Sequence, residues 1–199
     1  MSVFGLVGLQ DARALQRLME SNAGYAVRIQ GHGVEPGAAQ EALTALPPNA
    51  DAAQKRGYGL WEGNRLLAFA DVIIGWPEPG TAHIGLLMTD SERVGEGLGR
   101  RLHEAIVTEL RGAEGLGCLR LAIVDANADV AEPFWKKMGY QPTSQVAPID
   151  RGPWNPPRGS GAESLAAAQR HQPGLIRTAA RELRAYHRSG RGSGHPGEA

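Results

Sequence analysis

Thr81–Leu102, TAHIGLLMTDSERVGEGLGRRL, joins an apolar run to an amphipathic one through a loop with glycine at every second position, Gly95, Gly97 and Gly99. Ile84–Met88 is apolar and is bounded by Pro79 and Gly80 before it and by Thr89, Asp90, Ser91 and Glu92 after it. That pattern is expected of a buried strand. From Leu98 the apolar residues fall at Leu98, Leu102, Ala105, Ile106 and Leu110, one stripe of a helix that Gly112 ends.

Glycine carries no Cβ, so the loop backbone can take positive φ and approach a ligand closely. The first amides of the helix that follows have no intrahelical acceptor and lie at the positive end of its dipole. A phosphate or pyrophosphate suits such a place, with Arg93, Arg100 and Arg101 adding charge nearby. A glycine-rich turn that merely reverses the chain fits the same three residues. Two familiar phosphate loops are excluded. A dinucleotide fingerprint needs glycine where Arg100 stands, and a Walker A loop needs Lys-Ser/Thr where Gly99 is followed by Arg100-Arg101.

Around this centre the chain has 199 residues, 21 basic and 21 acidic side chains and an apolar share of 42%, enough for one domain with a core. The neutral balance gives no electrostatic reason to expect nucleic acid. Cys118 is the single cysteine, which excludes a disulfide framework and a thiolate zinc cluster. The histidines show no paired ligand spacing, so no metal is expected. MSVFGLVGL is short and lacks a basic leader, and no run reaches the length of a membrane span. A cytoplasmic protein without membrane partners is the expectation.

In chain order, Val3–Leu9 is expected as a strand and a helix follows from Asp11 with Leu15, Leu18 and Met19 on one side. Tyr25–Gly37, broken by Gly31, Gly33, Pro36 and Gly37, is expected as a loop lining a substrate entrance. A short helix spans Ala38–Leu46. Tyr58–Glu62, the turn Gly63-Asn64 and Arg65–Trp76 form a hairpin, which the strand at Ile84 extends into a meander. Leu119–Val124 is a further strand, reached through the helix by a parallel crossover. A helix over Asn127–Met138 and one or two strands over Tyr140–Val146 complete the order.

The loop Val94-Gly95-Glu96-Gly97-Leu98-Gly99 resembles the coenzyme A loop of the GCN5-related N-acetyltransferase superfamily, Gln/Arg-x-x-Gly-x-Gly/Ala, with Val94 where Gln or Arg is usual. The stretch ANADVAEPFWKKMGY, Ala126–Tyr140, is similar to the same family's Asn-x-x-Ala-x-x-Phe-Tyr-x-x-x-Gly-Phe motif. Phe134, Trp135, Gly139 and Tyr140 fill its second half, and Asn127 or Ala128 takes the asparagine slot.

The resemblance implies an α/β fold with a mixed, mostly antiparallel sheet, a central parallel crossover and splayed strands. It covers residues 1–149, leaving 150–199 as a Gly/Pro/Arg-rich linker and a basic, potentially helical extension. It implies acetyl-CoA as co-substrate and, as acceptor, a primary amine of a small molecule or of a protein N-terminus or lysine. It also leaves room for a homodimer.

For the site, the resemblance implies that Leu87, Met88, Thr89, Val94, Gly95, Glu96, Gly97, Leu98, Gly99, Arg100, Asn127 and Trp135 hold the coenzyme. The main chains of Leu87 and Thr89 pair with its pantetheine arm, and a backbone N–H of the fourth strand receives the oxyanion. Trp135 stands where the family often has a tyrosine that protonates the leaving thiolate, which an indole cannot do. Counting back eleven residues from Val94, to the family's carboxylate position, reaches His83 as the candidate base. Asp71, Tyr25, His32 and Trp76 are further candidates without a motif behind them. A degenerate relative that binds coenzyme A or a partner without turnover is the alternative.

Overall fold

The computed structural model describes residues 1–148 and 164–171. Seven strands form one sheet in the order β1-β2-β3-β4-β5-β7-β6, with β1 Val3–Val7, β2 Lys55–Glu62, β3 Arg65–Ile74, β4 Thr81–Thr89, β5 Cys118–Val124, β6 Gln141–Pro148 and β7 Ser164–His171. Neighbours are antiparallel except β4 and β5, which run parallel. This is the mixed α/β sheet with a central crossover that the motifs imply.

The helices are α1 Ala12–Ser21, α2 Ala23–Gln30, α3 Ala38–Thr44, α4 Leu98–Leu110 and α5 Ala128–Lys137. α1 starts where Asp11 accepts the Gly8 N–H at 2.9 Å, and it buries Ala12, Leu15 and Leu18, the three-and-four spacing of an amphipathic helix. Together with Ala39 of α3 these residues pack on one sheet face against Val7, Leu66, Phe69 and Met88. α4 packs on the other face, where Leu98, Leu102, Ile106 and Leu110 meet Leu67, Val72, Ala82 and Ile84. Each such side chain removed from water contributes about 2 kcal/mol, so the two clusters hold the sheet in a fixed position between its helices.

Two elements depart from the sequence reading. A helix, Ala23–Gln30, takes the first part of the loop expected over Tyr25–Gly37. Tyr25, Ala26 and Ile29 face inward, and Gly31, at φ 84°, ends the helix by donating its N–H to Val27 O. Strand β7 lies past Ile149, in the stretch set aside as linker and extension, and it enters the sheet between β5 and β6. The linker expected at Arg151–Gly161 and the helix expected from Leu175 lie outside the described residues.

Candidate functional site

The parallel ladder between β4 and β5 is short. Thr81, Ala82, His83 and Ile84 pair with Cys118, Leu119, Arg120 and Leu121, and no pairs follow. One residue further, the register between β3 and β4 slips: Val72 faces Ile84, but Asp71 faces Leu86, leaving Gly85 as the extra residue of a bulge. The bend carries the end of β4 away from β5, and Gly85 is exposed in the middle of the sheet.

Hydrogen-bond direction beyond the bulge follows from one contact. Asp90 N–H donates to Leu67 O at 2.8 Å, so in the antiparallel alternation the main-chain groups of Met88 and Leu86 turn to β3. Those of Leu87 and Thr89 therefore turn into the gap. Leu87 supplies the first gap-facing N–H after the bulge, while the Thr89 carbonyl is already taken by Asn22 Nδ2 at 2.8 Å.

The loop after β4 is fixed before it reaches the glycines. Asp90, almost fully buried, accepts the Glu92 N–H at 3.1 Å and pairs with Arg65 at 2.6 Å. Gly95 and Gly97 take φ 92° and 74°, and Gly97 caps the first turn of α4. Gly99 sits in a close fit instead: a Cβ there would stand a tight 3.3 Å from Phe134 Cζ and in ordinary contact, 3.5 Å, with Leu87 Cδ2. The first turn of α4 thus presses against β4 and α5, and its N-terminal amides open toward the loop.

Of the three nearby arginines, Arg93 is paired with Glu62 and Glu96 at 3.0 and 2.8 Å. Arg101 donates to Ser2 Oγ. Arg100 is exposed, and its Nη2 lies 3.9 Å from where a Gly97 Cβ would be. It is the arginine placed to add charge at the helix start. Val94 is 78% exposed, and Glu96 is tied to Arg93.

Asn127 ends the 3₁₀ turn after β5, on the far side of the gap from β4. Its Oδ1 is buried without a hydrogen-bond partner among the described residues. An acceptor left this way suits an amide N–H entering the gap. The open ladder, the gap-facing amides of β4, the glycine loop and this carbonyl together fit a coenzyme A thioester.

Trp135 is a core residue, 8% exposed. Its ring lies 4.9 Å from Phe134, 5.0 Å from Tyr140 and 5.9 Å from His103, and His103 is joined to the Tyr140 hydroxyl at 3.1 Å. His83 lies edge-on to Trp76 at 5.0 Å, and its Nδ1 is buried without a partner among the described residues. Burial first, and the charge of Arg120 second, lower its pKa to about 4. A base that weak is neutral at pH 7 and removes a proton from an ammonium poorly.

On the α1–α3 face, a cavity of about 300 Å³ opens beside the bulge. Tyr25, Ile29 and Val34 line it from the segment expected as an entrance loop, and Leu86 and Met88 form its floor. Its polar groups are Asn22, Glu41, Lys55 and Asp71. Lys55 Nζ stands 2.7 Å from Asp71 Oδ1 and donates to Ala45 O at 2.9 Å. Burial raises the Asp71 pKa, and Lys55 partly offsets this. Asn22, Glu41 and Lys55 were not evident in the sequence. The legible signal for Asp71 was one carboxylate within the apolar run Leu66–Ile74. His32 lies apart from this cavity, 3.4 Å from Glu35. Among the described residues no three His, Cys, Asp or Glu side chains gather as a metal ion would require, and no helix is long and apolar enough to cross a membrane.

Comparison with known proteins gives one family model, the acetyltransferase (GNAT) family, matching residues 27–140. Comparison with curated sequences gives no match. Among solved structures, an acetyltransferase from Thermus thermophilus superposes with a TM-score of 0.63 at 21% identity, over 86% of this chain and 100% of that one. The ribosomal-protein-S18-alanine N-acetyltransferase from Escherichia coli gives 0.61 at 17% identity, over 88% and 98%. A GNAT family acetyltransferase from Elizabethkingia anophelis with acetyl-CoA bound gives 0.52 at 12% identity, over 60% and 78%.

Proposed function

Because the chain belongs to the acetyltransferase (GNAT) family, we propose that it transfers an acetyl group from acetyl-CoA directly to a primary amine. The acceptor is a small molecule or a protein N-terminus or lysine. The observation that carries this reading is the place where β4 leaves β5, one residue before a bulge and on the strand that runs into the glycine loop.

When bound, acetyl-CoA supplies the activated acetyl thioester. The chain's part is to hold and align. The amides at the start of α4, with Arg100 beside them, would hold the pyrophosphate. The Leu87 carbonyl, the Thr89 N–H and the Asn127 side-chain carbonyl would hold the pantetheine arm. The Leu87 N–H, first past the bulge, would donate to the thioester oxygen as charge develops there, and removing such a donor costs about 3 kcal/mol of barrier. The amine enters from the cavity on the opposite sheet face. Bringing two substrates into register across the sheet removes several kcal/mol of entropic barrier.

Calorimetry with acetyl-CoA and desulfo-CoA, followed by thiol release over an amine panel, tests the reading. Binding with thiol release supports it. Binding without release from any amine favours a coenzyme-binding relative without turnover, a second reading that the core position of Trp135 keeps in play.

A further inference from the structure

Asp71 is the one carboxylate of β3 on the cavity face, and it stands directly over the bulge. Its Oδ1 is held by Lys55, and its Oδ2 lies 3.0 Å from where a Cβ on Gly85 would be. A side chain on Gly85 would crowd the carboxylate, so glycine here leaves Oδ2 room close to the backbone at the point where the strands part. The groups that face Asp71 across the cavity are Lys55 from β2, Glu41 from α3 and Tyr25 from α2. His83, two residues before Gly85 on β4, is uncharged at neutral pH.

Beyond this polar end the walls are mainly apolar: Met19, Tyr25, Ile29, Val34, Leu86 and Met88. A cavity of about 300 Å³ is at the small end of ligand sites. One positive group at the bulge and a compact apolar body behind it would satisfy both ends. A long peptide would need an open groove.

We propose that this cavity is the acceptor site for a small primary monoamine with an apolar body, and that Asp71 Oδ2 receives its ammonium group and takes its proton. The inference rests on the acetyl-transfer reading and names that reading's acceptor. The ammonium gives one proton to the Asp71 carboxylate. The freed lone pair forms the N–C bond to the acetyl carbon, the C–S bond breaks, and the second nitrogen proton goes to the departing sulfur. The products are an N-substituted acetamide and coenzyme A thiol, and the proton on Asp71 then passes to solvent. Burial, which raises the Asp71 pKa, brings the carboxylate closer to the range in which it can act as a base.

The test uses the full chain and 2-phenylethylamine, with 2-phenylethanol as the uncharged isostere and an N-terminal alanine hexapeptide as the bulky amine. Calorimetry is expected to show that the amine binds and that Asp71→Asn weakens it by about 30-fold. The melting temperature of that variant is expected to fall, because Lys55 loses its buried partner, whereas its acetyl-CoA affinity at a temperature well below the melt stays close to the parent's, which separates loss of the site from loss of the fold. In thiol release, kcat/KM for Asp71→Asn is expected to fall about 100-fold at pH 7 and to climb tenfold per pH unit toward pH 9, as solution supplies the unprotonated amine. A purely structural Asp71 would not steepen the profile.

Equal amine affinity in parent and Asp71→Asn, equal affinity for the amine and the alcohol, or turnover of the hexapeptide alone would each overturn the inference. Asp71-dependent amine binding without any thiol release would instead sink the acetyl-transfer reading while leaving the amine site in place.

Discussion

Asn22 Nδ2 donates to the main-chain oxygen of Thr89 at 2.8 Å, tying the junction of α1 and α2 to the last residue of β4. The same amide holds Leu18 O at 3.0 Å, and Ser91 Oγ holds Ser21 O at 2.6 Å. The helix that walls the cavity is thereby fastened to the strand whose amides face the gap.

Asn22→Ala removes both amide bonds and leaves the Thr89 carbonyl unpaired at the edge of the gap. A stability loss of about 2 kcal/mol is expected, given about 1 kcal/mol per bond lost. The KM for the amine should rise more than kcat falls, because α2 is released but the chemistry is untouched. Denaturant titration and steady-state kinetics check the two parts separately.

His83 gives a prediction in pH. Its folded pKa of about 4 lies below the ordinary 6.5. As pH falls through 6.5 the unfolded chain takes up a proton that the folded protein declines until about pH 4. Stability therefore decreases on acidification across that window, by at most about 3 kcal/mol for this one ring. Subtracting the stability curve of His83→Asn from that of the parent should leave a slope confined to pH 4–6.5. A flat difference would mean that the ring titrates normally.

Gly97 stands at φ 74°, where an L side chain is strained, and it caps α4. Gly97→Ala is expected to cost about 1–2 kcal/mol of stability and to weaken acetyl-CoA, since the amides it orients are those proposed to hold the pyrophosphate. Gly117→Ala is the control, for its added methyl meets nothing within 4 Å and its φ lies outside the positive range. Thermal melts and coenzyme calorimetry on the pair distinguish loop geometry from a general glycine effect.

What the sequence disclosed follows from how local each signal is. The strand at Ile84, the glycine loop and the stripe from Leu98 to Leu110 are contiguous, so period and breaker residues suffice to place them. α2 was hidden because it is short, contains Gly24, and shows only Tyr25, Ala26 and Ile29 as its inward face. β7 was hidden because Ser164–His171 follows a Gly- and Pro-rich stretch and is held by inserting between β6, the strand before it, and β5, a partner further back in the chain. The pairing of Lys55 with Asp71 depends on two strands meeting across a turn, and no spacing rule announces it. The motif placed Trp135 by its position in the chain, whereas its environment is set by α5 packing against α4.

Val94 occupies the slot where the family motif has Gln or Arg, and it is 78% exposed at the entry to the glycine loop. Val94→Arg should leave stability within about 0.5 kcal/mol and tighten acetyl-CoA several-fold, by adding a charge beside the α4 N-terminus. The gain should shrink at high salt, as expected for an exposed charge. An unchanged affinity at low salt would argue that the pyrophosphate lies away from this end of the loop.

Trp135→Tyr asks whether a hydroxyl at this motif position can act as an acid here. The indole is packed among Phe134, His103 and Tyr140 inside the core, on the α4 side of the sheet. A tyrosine is smaller and brings a hydroxyl that needs a partner, so a stability loss of about 1–3 kcal/mol is expected from the space left behind. No gain in kcat should accompany it, because replacing the ring leaves the position in the aromatic cluster. If kcat instead rose and its basic limb moved toward the tyrosine pKa, the hydroxyl would have reached the leaving sulfur. The aromatic cluster would then have to open toward the gap during turnover. Melting curves and a kcat profile from pH 6 to 10 measured on the same preparation decide between these outcomes.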